Sequence, residues 1–215
     1  MGDRRLAIGY RKLQDASDLE PIDHSLEPLE VMNWDVALFY AINGLAERSS
    51  VLDEAMVALA RPSSLLVPGT LLFAYWLWVS RRQAVIGATT LAGLIALGDL
   101  LGALIKQAAQ RARPCRVLDQ VHELVGCGGT FSFPSNHALN TAAAAAFAQV
   151  LYPATGWISW PLVALVGFSR VYIGGHYVTD VLGGWVIGGL IGAGVAVVLS
   201  WWPVFRKGRE CEALG

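Results

Sequence analysis

The chain has 215 residues, of which 54% are apolar and 15% are charged, and its formal net charge is -1. Soluble domains carry about 25% charged residues, so this composition excludes an ordinary soluble globule and favours a protein that folds in a bilayer. The charge balance excludes a nucleic-acid-binding protein, and the apolar content excludes disorder outside the two ends.

The first sixty residues are less uniformly apolar than the rest. Residues 1–30 are rich in charge and are predicted to form a polar tail, and no apolar stretch of a cleaved signal peptide follows their basic residues. Residues 31–60 combine apolar side chains at helical spacing with five charged ones. This pattern leaves open two interfacial amphipathic helices or one tilted span.

Five apolar segments follow, and we interpret each as a membrane span, which needs roughly 20 mostly apolar residues. They are residues 62–80, 83–105, 137–151, 157–171 and 181–205. The sequence therefore predicts an all-α integral membrane bundle of five to six transmembrane helices. We divide the chain into the tail 1–30, a membrane domain 31–205 and a basic C-terminal tail 206–215.

Basic residues next to the spans predict the orientation of the bundle. The loop SRRQ (80–83) and the chain end FRKGRE (205–210) fall on one side, which should be cytoplasmic. The loop 107–133 and the turn 169–180 then face the periplasm or the outside of a multi-pass inner-membrane protein. Three arginines of the outer loop contradict the simple charge rule, so we assign them a chemical role: Arg111, Arg113 and Arg116.

Three polar clusters emerge on that outer side. They read KQAAQRARP (106–114), FPSNH (133–137) and SRVYIGGHYVTD (169–180). Lys106, Arg113 and Arg170 would place three cations around one point, and such cations suit phosphate. Ser135, just before a helix, adds free backbone amides and the positive helix end at the same place.

Two histidines add proton-transfer or nucleophilic capacity near neutral pH. His176 and Asp180 are four residues apart, so on a helix they share a face. The carboxylate can then hold one ring nitrogen and leave the other free to attack phosphorus. His137 supplies the second imidazole.

The patterns K-x6-RP, PSxH and SR-x5-H-x3-D together resemble the signature motifs of the type-2 phosphatidic acid phosphatase superfamily, which includes the vanadium haloperoxidases. The resemblance covers residues 106–180 and implies a helical fold that works without metal or cofactor. It implies that His176 forms a phosphohistidine, that Asp180 orients it, and that His137 protonates the leaving oxygen. The implied phosphate clamp comprises Lys106, Arg113, Arg170, Ser135 and the backbone amide of Asn136.

One position departs from this pattern. Many members have glycine where this chain has Asn136, and the departure weakens the expectation of a close backbone approach to phosphate.

A finer resemblance concerns the segment MNWDVALFYAINGLAERSSVLDEAMVALA (32–60). It is similar to the N-terminal region of small bacterial undecaprenyl-diphosphate phosphatases, which implies a C55 isoprenoid diphosphate as membrane lipid substrate. Phosphatidate and phosphatidylglycerol phosphate are alternatives within the class. A lipid-phosphate transporter and a vanadate-dependent oxidase are alternatives from other classes that could use the same cationic pocket.

Four further features are left open by the sequence. The glycines of the last span either pack against neighbouring helices or form a homodimer. A Cys115–Cys127 disulfide is permissible in an oxidising compartment, whereas zinc binding lacks the usual CxxC spacing. Asp99, inside a span, needs a partner, and Lys106 is a candidate. Arg61, although followed by proline, has no lysine seven residues before it, so we interpret it as a cation at a helix boundary.

Overall fold

The structure is a computed structural model that describes residues 29–205. The chain divides into the units Met1–Asn33 and Trp34–Gly215, and the second unit holds the three polar clusters. The predicted C-terminal tail (206–215), and the predicted N-terminal tail up to residue 28, lie outside the described residues. The helices are α1 (Leu29–Asn43), α2 (Ser50–Ala60), α3 (Leu66–Val79), α4 (Arg81–Ala109), α5 (Pro114–Val117), α6 (Asn136–Leu151), α7 (Gly156–Tyr172) and α8 (Val178–Ser200).

The all-α prediction is confirmed for the described residues, and each predicted apolar segment contains a helix. Two of these helices, α4 and α8, are long and apolar enough to cross a membrane, while α3 is apolar but shorter. Helices α6 and α7 have 16 and 17 residues. At a rise of about 1.5 Å per residue, each extends for about 25 Å. The count of five to six spans therefore stays a prediction.

Residues 31–60 form two helices, so the alternative of one continuous tilted span is wrong. Helix α1 ends at Asn43 and α2 begins at Ser50. Helix α2 has 11 residues, or about 16 Å of helix, which is too short to cross a bilayer core of about 30 Å. The two helices carry both polar and apolar side chains, as the interfacial alternative expects.

Polar side chains attach these two helices to the rest of the unit. The amide nitrogen of Asn43 donates to the carbonyls of His122 (2.9 Å) and Tyr172 (2.8 Å), and its oxygen accepts from the His122 amide. The hydroxyl of Tyr172 donates to Asp53 at 2.7 Å. The Asn and Asp of the 32–60 segment thus fasten α1 and α2 to the outer loop and to the end of α7.

Helices α6 and α8 approach each other at backbone distance through glycines on one face of α8. A Cβ atom added to Gly188 would lie 2.0 Å from the carbonyl oxygen of Leu139, and one added to Gly192 would lie 2.2 Å from that of Ala143. Both distances are far below any real carbon–oxygen contact. Packing against a neighbouring motif-bearing helix is therefore confirmed for these glycines, and Gly184 packs against the start of the same helix. The homodimer stays an alternative for Gly189 and Gly194.

Alanine at Gly188 is expected to destabilise the protein, because its methyl group meets a main-chain oxygen that cannot rotate away. We expect the free energy of unfolding to fall by about 1–3 kcal/mol, as for other overpacked interiors. Gly194, where an added Cβ atom would meet nothing within 4 Å, is the matched control, since alanine favours a helix by about 1 kcal/mol over glycine. Unfolding in detergent measures both; equal stability of the two variants would contradict the packing argument.

The helix directions place the predicted clusters at one end of the bundle. Helices α4 and α7 finish at that end, while α6 and α8 start there. At the opposite end, the side chain of Gln83 donates to the carbonyl of Val204 at 2.9 Å. The SRRQ segment, which forms the start of α4 rather than the predicted loop, and the end of the described chain therefore lie on the same side, as predicted.

Candidate active site

The three predicted cations and both histidines line a single cavity. Its volume is about 660 Å³. Lys106 comes from the last turns of α4, Arg113 directly precedes α5, and Arg170 lies in the last turn of α7. The lining includes these three cations together with Asn136, His137 and His176. Residues that are up to 70 positions apart in the chain thus line one positively charged cavity.

His176 lies between Asp180 and Arg113. Its Nδ1 is 3.5 Å from Oδ2 of Asp180, longer than a normal hydrogen bond, and such catalytic contacts often tighten only when substrate binds. Its Nε2 is 3.2 Å from Nη1 of Arg113, which also donates to the carbonyl of Gly175 at 3.0 Å. An arginine donor at Nε2 requires the imidazole proton on Nδ1, facing the carboxylate. The Nε2 lone pair accepts from Arg113 here and becomes free for attack when the oxygens of a bound phosphoryl group accept from Arg113 instead.

The turn before His176 brings the chain close to the outer loop. Gly174 has φ +84°, and a Cβ atom there would lie 2.8 Å from the carbonyl oxygen of His122. Only glycine combines this left-handed conformation with such a close approach. The turn before His176 therefore requires glycine at position 174.

Asp180 is fully buried and is held by several donors. Its Oδ1 accepts from Arg111 at 2.7 Å, and its Oδ2 accepts from the hydroxyl of Ser132 and from the amide of Tyr177 at 2.9 Å. These donors favour the ionised carboxylate and fix its orientation toward His176. The sequence does not single out Ser132, because nothing in a lone serine signals such a contact.

A second carboxylate extends this arrangement. Asp35 of α1 is 2% exposed, and Arg111 bridges it to Asp180 through ion pairs of 2.7 Å to each. The Arg111 guanidinium also lies 4.0 Å from the ring centre of Tyr177. Sequence reasoning misses Asp35, although a carboxylate amid apolar residues is a signal that could find it. The sequence indicates a chemical role for Arg111 only because Arg111 is one of three arginines in the outer loop.

Several buried polar atoms at the site have no protein partner among the described residues. Four of them are Nε of Arg113, Nε of Arg170, the hydroxyl of Ser135 and Nε2 of His137, and the fifth is Nδ1 of His176, which lies 3.5 Å from Asp180. Buried polar atoms of this kind are normally hydrogen-bonded, and four of them beside one cationic space suit the oxygens of a phosphoryl group. Ser135 and His137 take these positions because α6 begins at Asn136.

Comparison with known proteins identifies the family. Residues 87–204, more than half of the chain, match the model of the PAP2 superfamily. The chain belongs to the PAP2 superfamily. It is 36% identical to the undecaprenyl-diphosphatase BcrC of Bacillus subtilis over 75% of this chain and 81% of that one. It is 32% identical to a lipid A 4'-phosphatase of Porphyromonas gingivalis over 60% of this chain and 57% of that one.

A solved PAP2 structure has the same fold. The crystal structure of a transmembrane PAP2-type phosphatidylglycerolphosphate phosphatase from Bacillus subtilis superimposes with a TM-score of 0.61 at 26% identity, covering 90% of this chain and 94% of that one. These PAP2 relatives are phosphatases that differ in their lipid substrates. The family match and these relatives together indicate a membrane lipid phosphatase and do not specify the lipid.

Asn136, the departure from the PAP2 pattern, directs its side chain toward α4. Its oxygen accepts from the Lys106 ammonium and its nitrogen donates to Asp99 at 3.1 Å. A Cβ atom at Gly102 would lie 2.5 Å from that oxygen, so a glycine on α4 makes room for the asparagine. Asp99 thus accepts hydrogen bonds from Asn136 and Asn140. Contrary to the prediction, it does not contact Lys106 directly; Asn136 lies between them and bonds to both.

The outer loop of this PAP2 protein is closed by a disulfide. Cys115 and Cys127 are bonded, and the loop residues from Leu124 to Gly128 line the cavity. The structure therefore selects the disulfide from the alternatives left open by the sequence. Among the described residues, no group of three or more histidine, cysteine or acidic side chains is placed to hold a metal ion.

Burial lowers the pKa of His176 to about 4, and the positive charge of Arg113 adds to this effect, while Asp180 opposes it. The imidazole is therefore neutral at physiological pH. Because the unfolded chain takes up a proton near the ordinary pKa of about 6.5 and the folded chain does not, His176 stabilises the fold above that pH, and its contribution falls as the pH drops toward 4.

Nitrogen NMR of histidine-labelled protein is expected to show this depressed titration. The His176 resonance, assigned by its loss in His176→Ala, should begin to shift only well below pH 6. A midpoint near the ordinary histidine pKa of about 6.5 would contradict the buried neutral imidazole.

Proposed function

We propose that this protein removes the terminal phosphate of undecaprenyl diphosphate through a phosphohistidine on His176. The observation that carries the proposal is the position of His176: one ring nitrogen faces a buried carboxylate and the other faces a cation-lined cavity. A neutral imidazole held in this way is a nucleophile aimed at a bound phosphoryl group.

The reaction consists of two in-line displacements. His176 Nε2 forms a bond to the terminal phosphorus while the bond from phosphorus to the bridging oxygen breaks, and His137 gives that oxygen a proton. Lys106, Arg113 and Arg170 stabilise the charge on the equatorial oxygens. Water then attacks the phosphohistidine, His137 takes the proton from the water, and inorganic phosphate leaves. No metal is needed, because the three side chains supply the positive charge.

The choice of undecaprenyl diphosphate rests on sequence similarity along most of the chain. A 36% identical relative carries that activity in its name, and the 32–60 segment resembles the same group of enzymes. The asparagine and aspartate of that segment, Asn43 and Asp53, make the contacts that fasten α1 and α2 beside the site. Phosphatidylglycerol phosphate and phosphatidate are the alternatives.

We place the site at the outer face of the cytoplasmic membrane. The basic SRRQ segment at the start of α4 lies at the bundle end away from the cavity, which by the positive-inside rule is the cytoplasmic end. The disulfide in the wall of the cavity supports the same orientation, because disulfides persist in oxidising compartments.

The test is phosphate release by purified protein in detergent with a chelator present. Undecaprenyl diphosphate, phosphatidylglycerol phosphate and phosphatidate are compared by kcat/KM, with vanadate as inhibitor. We expect the diphosphate to have the highest kcat/KM, vanadate to compete with it, and the chelator to have no effect. A requirement for a divalent ion, peroxide-dependent halogenation with vanadate, or a preferred monophosphate lipid would contradict the proposal.

A further inference from the structure

Arg61 lies on the rim of the catalytic cavity and is not one of the motif residues. It caps the C-terminal end of α2 and lines both the catalytic cavity and a neighbouring cavity of about 520 Å³. Leu124 of the outer loop is the other residue shared by both. Arg61 is therefore the basic residue at the boundary between the two spaces, and its interpretation as a simple helix-boundary cation is incomplete.

The chain at Arg61 is fixed next to the clamp. Nη1 of Arg170 donates to the carbonyl of Ala60 at 3.2 Å, so the residue that precedes Arg61 touches the clamp arginine. Arg61, Arg170 and His137 all line the same cavity.

The charge of Arg61 is available to a ligand. The residue is exposed, and its guanidinium has no hydrogen bond or ion pair with any described residue. The clamp already provides three cations for the phosphoryl group that is transferred. A fourth cation at the rim of the same cavity matches a substrate whose leaving group is itself a phosphate.

The neighbouring cavity limits where that second phosphate can lie. Its wall carries the hydroxyls of Ser63 and Ser64 but also the carboxylates of Asp53 and Glu54. Carboxylates disfavour a phosphate deep in this space, because like charges repel. We therefore expect the second phosphate to bind at the boundary between the two cavities, which is where Arg61 lies.

We propose that Arg61 binds the phosphate that stays on the lipid, and so makes the enzyme select lipid diphosphates over lipid monophosphates. This inference rests on the proposed function, and it names the residue that distinguishes the two substrate classes. Arg61 also neutralises the leaving phosphate as the bridging oxygen takes its proton.

The experiment uses two lipids that differ by one phosphate, farnesyl diphosphate and farnesyl monophosphate, with Arg61→Gln as the variant. We expect kcat/KM for the diphosphate to fall about tenfold, the effect of losing one charge-assisted hydrogen bond, while kcat/KM for the monophosphate stays within about twofold. Arg61→Lys should recover part of the selectivity. Arg48→Gln, which removes an exposed arginine outside both cavities, is the matched control and should leave both values unchanged.

A binding measurement separates this inference from the proposed function. A farnesyl diphosphonate with a methylene bridge cannot be hydrolysed, so its affinity does not depend on turnover. Arg61→Gln should weaken its binding about tenfold and leave the matching monophosphonate unaffected. Equal effects on both analogues, or none on either, would overturn the role of Arg61. If the wild-type enzyme binds the diphosphonate selectively but releases no phosphate, the proposed function fails and the Arg61 site stands.

Discussion

His176→Ala is expected to abolish phosphate release, with kcat lowered by about 10⁴-fold or more, because the variant lacks the atom that bonds to phosphorus. The cations of the clamp remain, so substrate binding should change little. Acid-sensitive label from a lipid carrying radioactive terminal phosphate should appear on the wild-type protein after rapid quenching and be missing from the variant.

The control for this substitution is His122→Ala. His122 belongs to the outer loop and pairs with Glu47 through an exposed contact of 2.9 Å, a type of interaction worth at most about 1 kcal/mol. Its loss should leave turnover nearly unchanged. Undiminished phosphate release by His176→Ala would refute the covalent mechanism, and lipid movement across vesicles without phosphate release would favour a transporter.

Arg111→Ala is expected to have the largest effect on stability, because it leaves the buried carboxylates of Asp35 and Asp180 facing each other without their cation. Removing one partner of a buried ion pair costs about 3–5 kcal/mol, and we expect the lower end of this range because Arg111 is partly exposed. Arg116→Ala is the matched control in the same loop, since its guanidinium makes one exposed bond to the carbonyl of Gly128 at 3.2 Å. Unfolding in detergent compares the two.

The role of Arg111 in positioning Asp180 needs a readout other than stability. Arg111→Lys keeps the charge but loses the bridge between two carboxylates, so we expect kcat to fall while KM stays similar. Adding Asp35→Asn to Arg111→Ala should restore part of the lost stability, because one uncompensated charge is then removed. Additive losses in the double variant, or equal stability of Arg111→Ala and Arg116→Ala, would contradict the bridging role.

The predicted site residues could be found in the sequence because they are polar groups in an apolar chain. Lys106, His137 and Arg170 stand at the ends of apolar segments, where a charge is conspicuous and where alternating helix directions bring the segment ends together. The glycines of α8 were also informative, since their spacing of four residues indicates one packed face. Local pattern was sufficient for these features.

Contacts between distant segments could not be predicted in the same way. Asp35 and Arg111 are separated by 76 residues, and no periodicity specifies which carboxylate an arginine will meet. Asp99 shows the same limit. The sequence indicates that this carboxylate needs a partner, but it does not indicate that the partner is Asn136 rather than Lys106. That contact depends on the space that Gly102 leaves between two helices. The break between α1 and α2 depends likewise on the anchoring of Asn43 by a loop about eighty residues later.

The backbone contact of α6 with α8 has a consequence for how this enzyme can diversify. The two helices that carry His137 and Asp180 meet main chain to main chain at Gly188 and Gly192, so the positions of the proton donor and of the carboxylate that orients the nucleophile are fixed largely by the backbone. Substitutions on the lipid-exposed surfaces of the outer helices can accumulate without altering that geometry. The lipid preference of such a scaffold can therefore change through residues at its periphery while the positions of the catalytic groups stay the same.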